Sequence, residues 1–299
     1  MFSRNPILLL AGVISGIFLI FLLASRNGDD GGSSPSHQPI PTIEKGHVYS
    51  FAGEELPIDN FDVAERLERE LLVNAFYHSN TILAIKMANR YFPAIEKILK
   101  EEGVPEDLKY LAVAESGLRP VNSAADARGV WQFLKETGVQ YGLEVNSEVD
   151  ERYHLEKSTR AACAHFKQLK ERFGTWTLAA AAYNWGGANL AEAMESQRAK
   201  TFFDLNINEE TSRYIFRVVA LKEVLLDPEK FGFSIPKDQL YQPLDRFKVV
   251  EVNGPVPNWG DFAEEHGTSY RMLKIYNPWL RDSKLTNKGG KTYQVEIPK

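Results

Sequence analysis

Cysteine is almost absent from this chain of 299 residues: there is one, Cys163. An intramolecular disulfide framework is therefore excluded. The thiol sits in the alanine-rich run STRAACAHFKQL, which reads as a small buried side chain rather than a reactive one. Histidine is sparse too, and its six copies are scattered without metal-ligand spacing, so neither a metal nor a cofactor is expected. Basic residues are in deficit, 35 Lys and Arg against 40 Asp and Glu, for a net charge of -5. Such a chain has no basic footprint, and nucleic acid is excluded as a partner.

What is present is apolar material, 43% of residues, enough for one large domain and one small one after an N-terminal leader. The leader is Ile7 to Ala24, an apolar run of 18 residues with Arg4 before it and Arg26, Asp29 and Asp30 behind. Its length is near the minimum for spanning a bilayer and exceeds a usual signal-peptide core. Charge on the leading side favours an N-in orientation, with the body outside the cytoplasm. Residues 1–26 are thus expected to be a retained membrane anchor, with cleavage after Ala24 as the alternative. No cysteine adjoins the run, so bacterial lipoprotein attachment has no acceptor. Residues 27–47, NGDDGGSSPSHQPIPTIEKGH, show almost no apolar period and read as a flexible linker. Residues 48–59 are expected to lie along the surface of the domain that follows.

From Asn60 the pattern turns helical. FDVAERLERELLVNAFYH places Phe61, Ala64, Leu67, Leu71 and Leu72 on one side, with Asp59 or Asn60 as cap. NTILAIKMANRY predicts a second helix and FPAIEKILKEEG, from Pro93 to Gly103, a third. GVWQFLKETG, LEKSTRAACAHFKQLKERFG, TWTLAAAAYNWGG and NEETSRYIFRVVALKEVL continue the series. About eight helices with short connections predict a compact all-α body over residues 48–235.

One helix carries an anomaly. In VPEDLKYLAVAESG, Leu108, Leu111, Ala112 and Glu115 fall at i, i+3, i+4 and i+7, so a carboxylate lands on the face that should be buried. A buried acid either finds a partner or keeps its proton with a raised pKa, as a general acid must. The alternative is that the helix stops at Ser116-Gly117 and Glu115 reaches water.

Two aromatic and amide clusters follow, ARGVWQF and AAAAYNWGG. With Glu115-Ser116 they form an ordered set: Gly129-Val130-Trp131-Gln132, then Ala182-Tyr183-Asn184, then Tyr214 on a late helix. The set resembles the signature of the family 1 lytic transglycosylases, in particular the membrane-bound lytic murein transglycosylase D type. The resemblance covers roughly residues 60 to 230, about one domain. It implies a lysozyme-like α fold and cleavage of the bond between N-acetylmuramic acid and N-acetylglucosamine in peptidoglycan, leaving 1,6-anhydromuramic ends. Most glycosidases need two carboxyl groups; the resemblance implies instead that the substrate's own hydroxyl serves as nucleophile, with Glu115 acting first as acid and then as base. Ser116, Trp131, Gln132, Tyr183, Asn184 and Tyr214 are the implied substrate-binding residues, each with a structural alternative. The family often has a serine nine residues after the glutamate; that position is Ala124, with Ser123 one step early. Two other readings stay open: a hydrolase of goose-lysozyme type, with a second acid such as Asp126, and a non-catalytic wall-binding or scaffold protein. The implied location is the bacterial cell envelope, on the periplasmic side of the inner membrane, anchored by residues 7–24.

After about residue 232, prolines at 236, 243, 255 and 257 break the helical pattern. FKVVEV and TYQVEIP read as strands flanking two short helices, NWGDFAEEHG and SYRMLKIYNPWL. This βααβ order over 245–299 resembles LysM, a glycan-binding module. The usual Gly-Asp-Thr opening is replaced by Asn253-Gly254-Pro255-Val256-Pro257-Asn258, and a small packing domain is the alternative. The expected fold class is therefore mainly α, with a small α+β module at the C-terminus.

Overall fold

The computed structural model describes residues 38–299, of which Pro39–Lys299 form one compact unit. The expected anchor at 7–24 and residues 27–37 of the linker lie outside the described residues. Among the described residues no helix is long and apolar enough to cross a membrane. The architecture is mainly α, with ten α-helices among the described residues and a two-stranded antiparallel sheet near the C-terminus.

Residues 48–59 lie only partly along the surface: Val48, Gly53, Glu55, Pro57 and Asp59 are exposed, while three side chains turn inward. The stretch forms a hairpin of β1 (Ser50–Phe51) and β2 (Glu54–Glu55). The segment buries Tyr49, Phe51 and Leu56 in the main core, because three large apolar side chains in eight residues gain more from burial than from a solvated path. Helix α1 (Phe61–Phe76) starts where the Asn60 side chain accepts the Asp62 N–H. Helix α2 (His78–Glu101) corrects the expectation of two helices meeting at Pro93, which lies in its interior. Ala84, Ile85 and Ala88 before the proline, and Ile95, Ile98 and Leu99 after it, bury into the same core. That shared face outweighs the lost hydrogen bond, a cost of about 3 kcal/mol.

Helix α3 (Lys109–Ser116) and helix α4 (Lys135–Gln140) are short. Residues 129–133 are not helical, contrary to the helix expected over GVWQFLKETG. Gly129 has φ +81°, and a Cβ there would lie 1.8 Å from the Arg152 carbonyl oxygen, an approach that only glycine permits. Helix α5 (Leu155–Phe173) buries Cys163, whose thiol is pushed up to about 12 by burial. Helix α6 (Trp176–Trp185) is capped by Thr175, and helix α7 (Gly187–Gln197), absent from the sequence reading, follows directly. The long α8 (Glu209–Leu226) is capped by Asn208. It packs on α1, α3 and α6 and puts Tyr214, Val218 and Leu221 into the core.

The C-terminal module has the expected order. Strand β3 (Phe247–Val252) pairs with β4 (Tyr293–Pro298), Phe247 opposite Pro298 and Val252 opposite Tyr293. Between them lie α9 (Trp259–Glu265), capped by Asn258, and α10 (Tyr270–Tyr276), capped by Ser269. Trp259, Leu273, Val295 and Ile297 fill its core. That cluster also takes Val149 and Tyr153 from the α body.

Candidate active site

Helix α3 ends where Gly117 turns left-handed at φ 61° and returns its N–H to the Val113 carbonyl at 2.8 Å. Glu115 is therefore in the last turn, as the solvated alternative required. It is not free in solvent. The residue is half-buried, and the Tyr214 hydroxyl, itself 1% exposed, donates to Glu115 Oε1 at 2.5 Å. Burial is the chief cause that pushes the Glu115 carboxyl up to about 7; the Tyr214 bond opposes it, the exposed Glu210 adds to it and Arg217 pulls it back. The helix C-terminus, with its free carbonyls, also disfavours a carboxylate there.

Residues 210, 214 and 217 fall at i, i+4 and i+7 of α8, so one helix face supplies the hydroxyl and both charges that tune the acid. Only Tyr214 emerged from the sequence. Arg217 lies 3.9 Å from Glu70, a 1%-exposed carboxylate whose closer partner is Arg213 Nε at 2.6 Å. The spacing along α8 was the available signal for Glu210 and Arg217, but it carries meaning only once Tyr214 is known to face Glu115.

Tyr183, on α6, stacks on Phe166 at 4.4 Å and donates its hydroxyl to the Trp131 carbonyl at 2.6 Å. Its own ionisation is driven well above the ordinary range by burial and then by the Glu115 charge, which places the two in electrostatic reach. Asn184 accepts from Thr211 Oγ1 at 2.9 Å, tying α6 to the start of α8. Gln132 is half-buried at φ 50° and donates from Nε2 to the Gly129 carbonyl at 2.7 Å. Its Oε1 has no partner among the described residues.

Two expected substrate contacts are corrected. Trp131 is fully buried and donates its indole N–H to Thr159 Oγ1 at 2.8 Å. No ring face is left for a pyranose, because the side chain fills the core beside Phe166. Ser116 is 5% exposed and donates to the Val130 carbonyl at 2.8 Å, so it links the Glu115 helix to the 129–132 loop. Asp126 is an exposed loop residue 2.7 Å from Arg128, and Ser123 accepts the Ala127 N–H at 3.0 Å as a turn former.

Beside Tyr183 and Asn184 lies a cavity of about 430 Å³, bounded also by Tyr141, His165, Trp185 and Gly186. Burial pushes His165 down to about 4, so its ring is neutral at pH 7. The arrangement is a proton-holding carboxyl among aromatic and amide groups, which suits general acid chemistry on a polar, ring-shaped substrate.

Two stretches of the chain match known families, each over less than half of its length. Residues 92–206 match the family described as "Transglycosylase SLT domain", and residues 248–299 match "Soluble lytic transglycosylase C-terminal LysM-like domain". The first match contains Glu115, Gln132, Tyr183 and Asn184 but stops short of Tyr214. Membrane-bound lytic murein transglycosylase D of Escherichia coli K12 is 29% identical over 263 residues, 85% of this chain. The protein of the same name from Escherichia coli O6:H1 gives the same figures. The chain spans 56% of the length of these relatives.

Proposed function

We propose that the protein is a peptidoglycan lytic transglycosylase. One observation carries this reading: the half-buried Glu115 carboxyl, pushed up to about 7 chiefly by burial, accepts the Tyr214 hydroxyl at 2.5 Å. In the proposed reaction the protonated Glu115 gives its proton to the oxygen linking N-acetylmuramic acid to N-acetylglucosamine, and the C1–O bond breaks. The resulting carboxylate takes the proton of the muramic 6-hydroxyl as that oxygen bonds to C1. The products are an N-acetylglucosamine hydroxyl and a 1,6-anhydromuramic end, with no water consumed and the enzyme's proton restored. Holding the tethered hydroxyl against C1 replaces a bimolecular attack, worth several kcal/mol of the barrier. A single carboxyl therefore suffices.

Tyr214 supports the first half-reaction, because its hydroxyl stabilises the carboxylate that proton donation leaves. Gln132 Oε1, Tyr183 and Asn184 are the proposed contacts to the sugar, the last two bordering the cavity that His165 and Tyr141 also line. Residues 48–235 form the catalytic body in this reading and 245–299 the accessory module. The relatives' name, membrane-bound and murein-directed, and the run at Ile7 to Ala24 support action on the periplasmic side of the inner membrane, with that run as anchor. The expected partners are peptidoglycan glycan strands and the bilayer.

Mass spectrometry of peptidoglycan digested by the full chain tests the reaction type. Ends lighter than reducing ends by one water are expected. Reducing ends would show a goose-type hydrolase, and an intact polymer that retains the protein would show a binding or scaffold role.

A further inference from the structure

The C-terminal module is joined to the α body at residues 144–153, the stretch between α4 and α5. Val149 pairs with Leu280 as an antiparallel bridge. The Asp150 N–H donates to the Trp279 carbonyl at 2.9 Å and the Arg281 N–H to the Glu148 carbonyl at 2.8 Å. Glu148 Oε2 accepts the Thr286 N–H at 2.7 Å, and the Arg281 guanidinium lies 4.2 Å over the Tyr153 ring.

The same stretch faces the other way onto the loop beside Glu115. Asp150, 1% exposed, takes both Nε and Nη2 of Arg152, at 2.9 and 2.8 Å, with Arg128 at 3.4 Å. Arg152, also 1% exposed, donates from Nη1 to the carbonyls of Asp126 and Phe133 at 3.0 and 3.2 Å. Its own carbonyl presses on Gly129. The loop so held presents the Val130 carbonyl to Ser116, next to Glu115, and the Trp131 carbonyl to Tyr183. A continuous set of bonds thus runs from Trp279 and Arg281 to both groups that flank the acid. A planar guanidinium fork fixes such a geometry in a way that a lysine cannot. Buried charge pairs of this kind contribute little net stability; what they add is a defined arrangement.

We propose that the C-terminal module braces the Gly129–Gln132 loop against Glu115 through Asp150 and Arg152, which act as positioning residues for turnover. Tyr293 joins Trp279, Arg281 and Thr286 in this seam, its hydroxyl donating to Glu144 Oε2 at 3.1 Å. The turnover arm of the test rests on the transglycosylase reading; the exchange arm does not.

The test uses the full chain with Glu148→Ala and Arg281→Ala combined, which loosens the seam without touching the loop. Amide hydrogen exchange at Arg128, Gly129 and Phe133, whose N–H groups bond within the loop, is expected to quicken by about tenfold. On soluble uncrosslinked glycan strands kcat is expected to fall by about tenfold with KM within about twofold. Arg152→Lys is expected to act in the same direction and more strongly. Unchanged exchange at 128–133 while the backbone amides at positions 280 and 281 exchange faster would overturn the proposal. So would a raised KM with kcat intact, which marks a substrate-binding module. If Arg152→Lys does not fold, the seam variant alone decides. A chain that yields no anhydro ends would defeat the transglycosylase reading yet leave the exchange result readable, so the two failures are distinguishable.

Discussion

Glu115 and Asp150 are two acids drawn inside the same body, and they are handled in opposite ways. Asp150 meets a guanidinium fork and a second arginine. Glu115 meets a tyrosine hydroxyl, with Arg217 near enough to act only through its charge. A carboxylate whose burial is offset by a bidentate cation becomes a structural joint. One given only a hydroxyl holds its proton up to neutral pH and can lend it.

The largest effect that sharpens this contrast is expected for Glu115→Gln. Cleavage should drop by about a thousandfold or more, with fold and wall binding kept; turnover at the normal rate would end the assignment. The same variant has a stability signature. The folded carboxyl, raised from 4.5 to about 7, holds its proton where the unfolded chain has released it. Stability therefore declines as pH rises from about 4.5 to 7, and the decline is complete above that window. Glu115→Gln should flatten this slope and be roughly 1 to 3 kcal/mol more stable relative to wild type at pH 8 than at pH 4, read by urea unfolding.

Asp150→Ala should do the reverse, stranding Arg152 in the interior and costing about 3 kcal/mol of stability at neutral pH. An unchanged urea midpoint would show that the joint is not one. Tyr214→Phe comes next. It removes the bond that favours the carboxylate, so the fall of activity on the alkaline side should move to higher pH while the maximal rate drops by about tenfold. The smallest effects lie on the same helix face. Glu210→Gln should move that limb to lower pH and Arg217→Gln to higher pH, because the first charge raises the Glu115 pKa and the second lowers it. Equal profiles for these two variants would mean that neither charge is felt at the acid.

Much of the fold was legible because its causes are local. Asn60, Thr175, Asn208, Asn258 and Ser269 each cap a helix through a bond to an N–H two or three residues on, and such a cap is written in a handful of adjacent positions. The βααβ order at the C-terminus was legible for the same reason. Pro93 misled because local propensity marks a helix boundary, whereas the core accepts apolar faces on both sides of it. The Gly129–Gln132 segment misled because its backbone is set by a carbonyl on a different segment. The motif left Trp131 open between a stacking face and a place in the core, and packing decides, with Thr159 and Phe166 enclosing it.

The order of residues was sufficient to mark Glu115 as misplaced on an apolar stripe, since periodicity is a property of neighbours along the chain; Tyr183 and Tyr214 came from the family resemblance. How tightly the acid holds its proton, and what keeps the adjoining loop in place, came from contacts between distant segments: Tyr214 reaches Glu115 across 99 residues, and Trp279 reaches Asp150 from another module. Desolvation depends on everything packed around a group, and no linear pattern contains that sum.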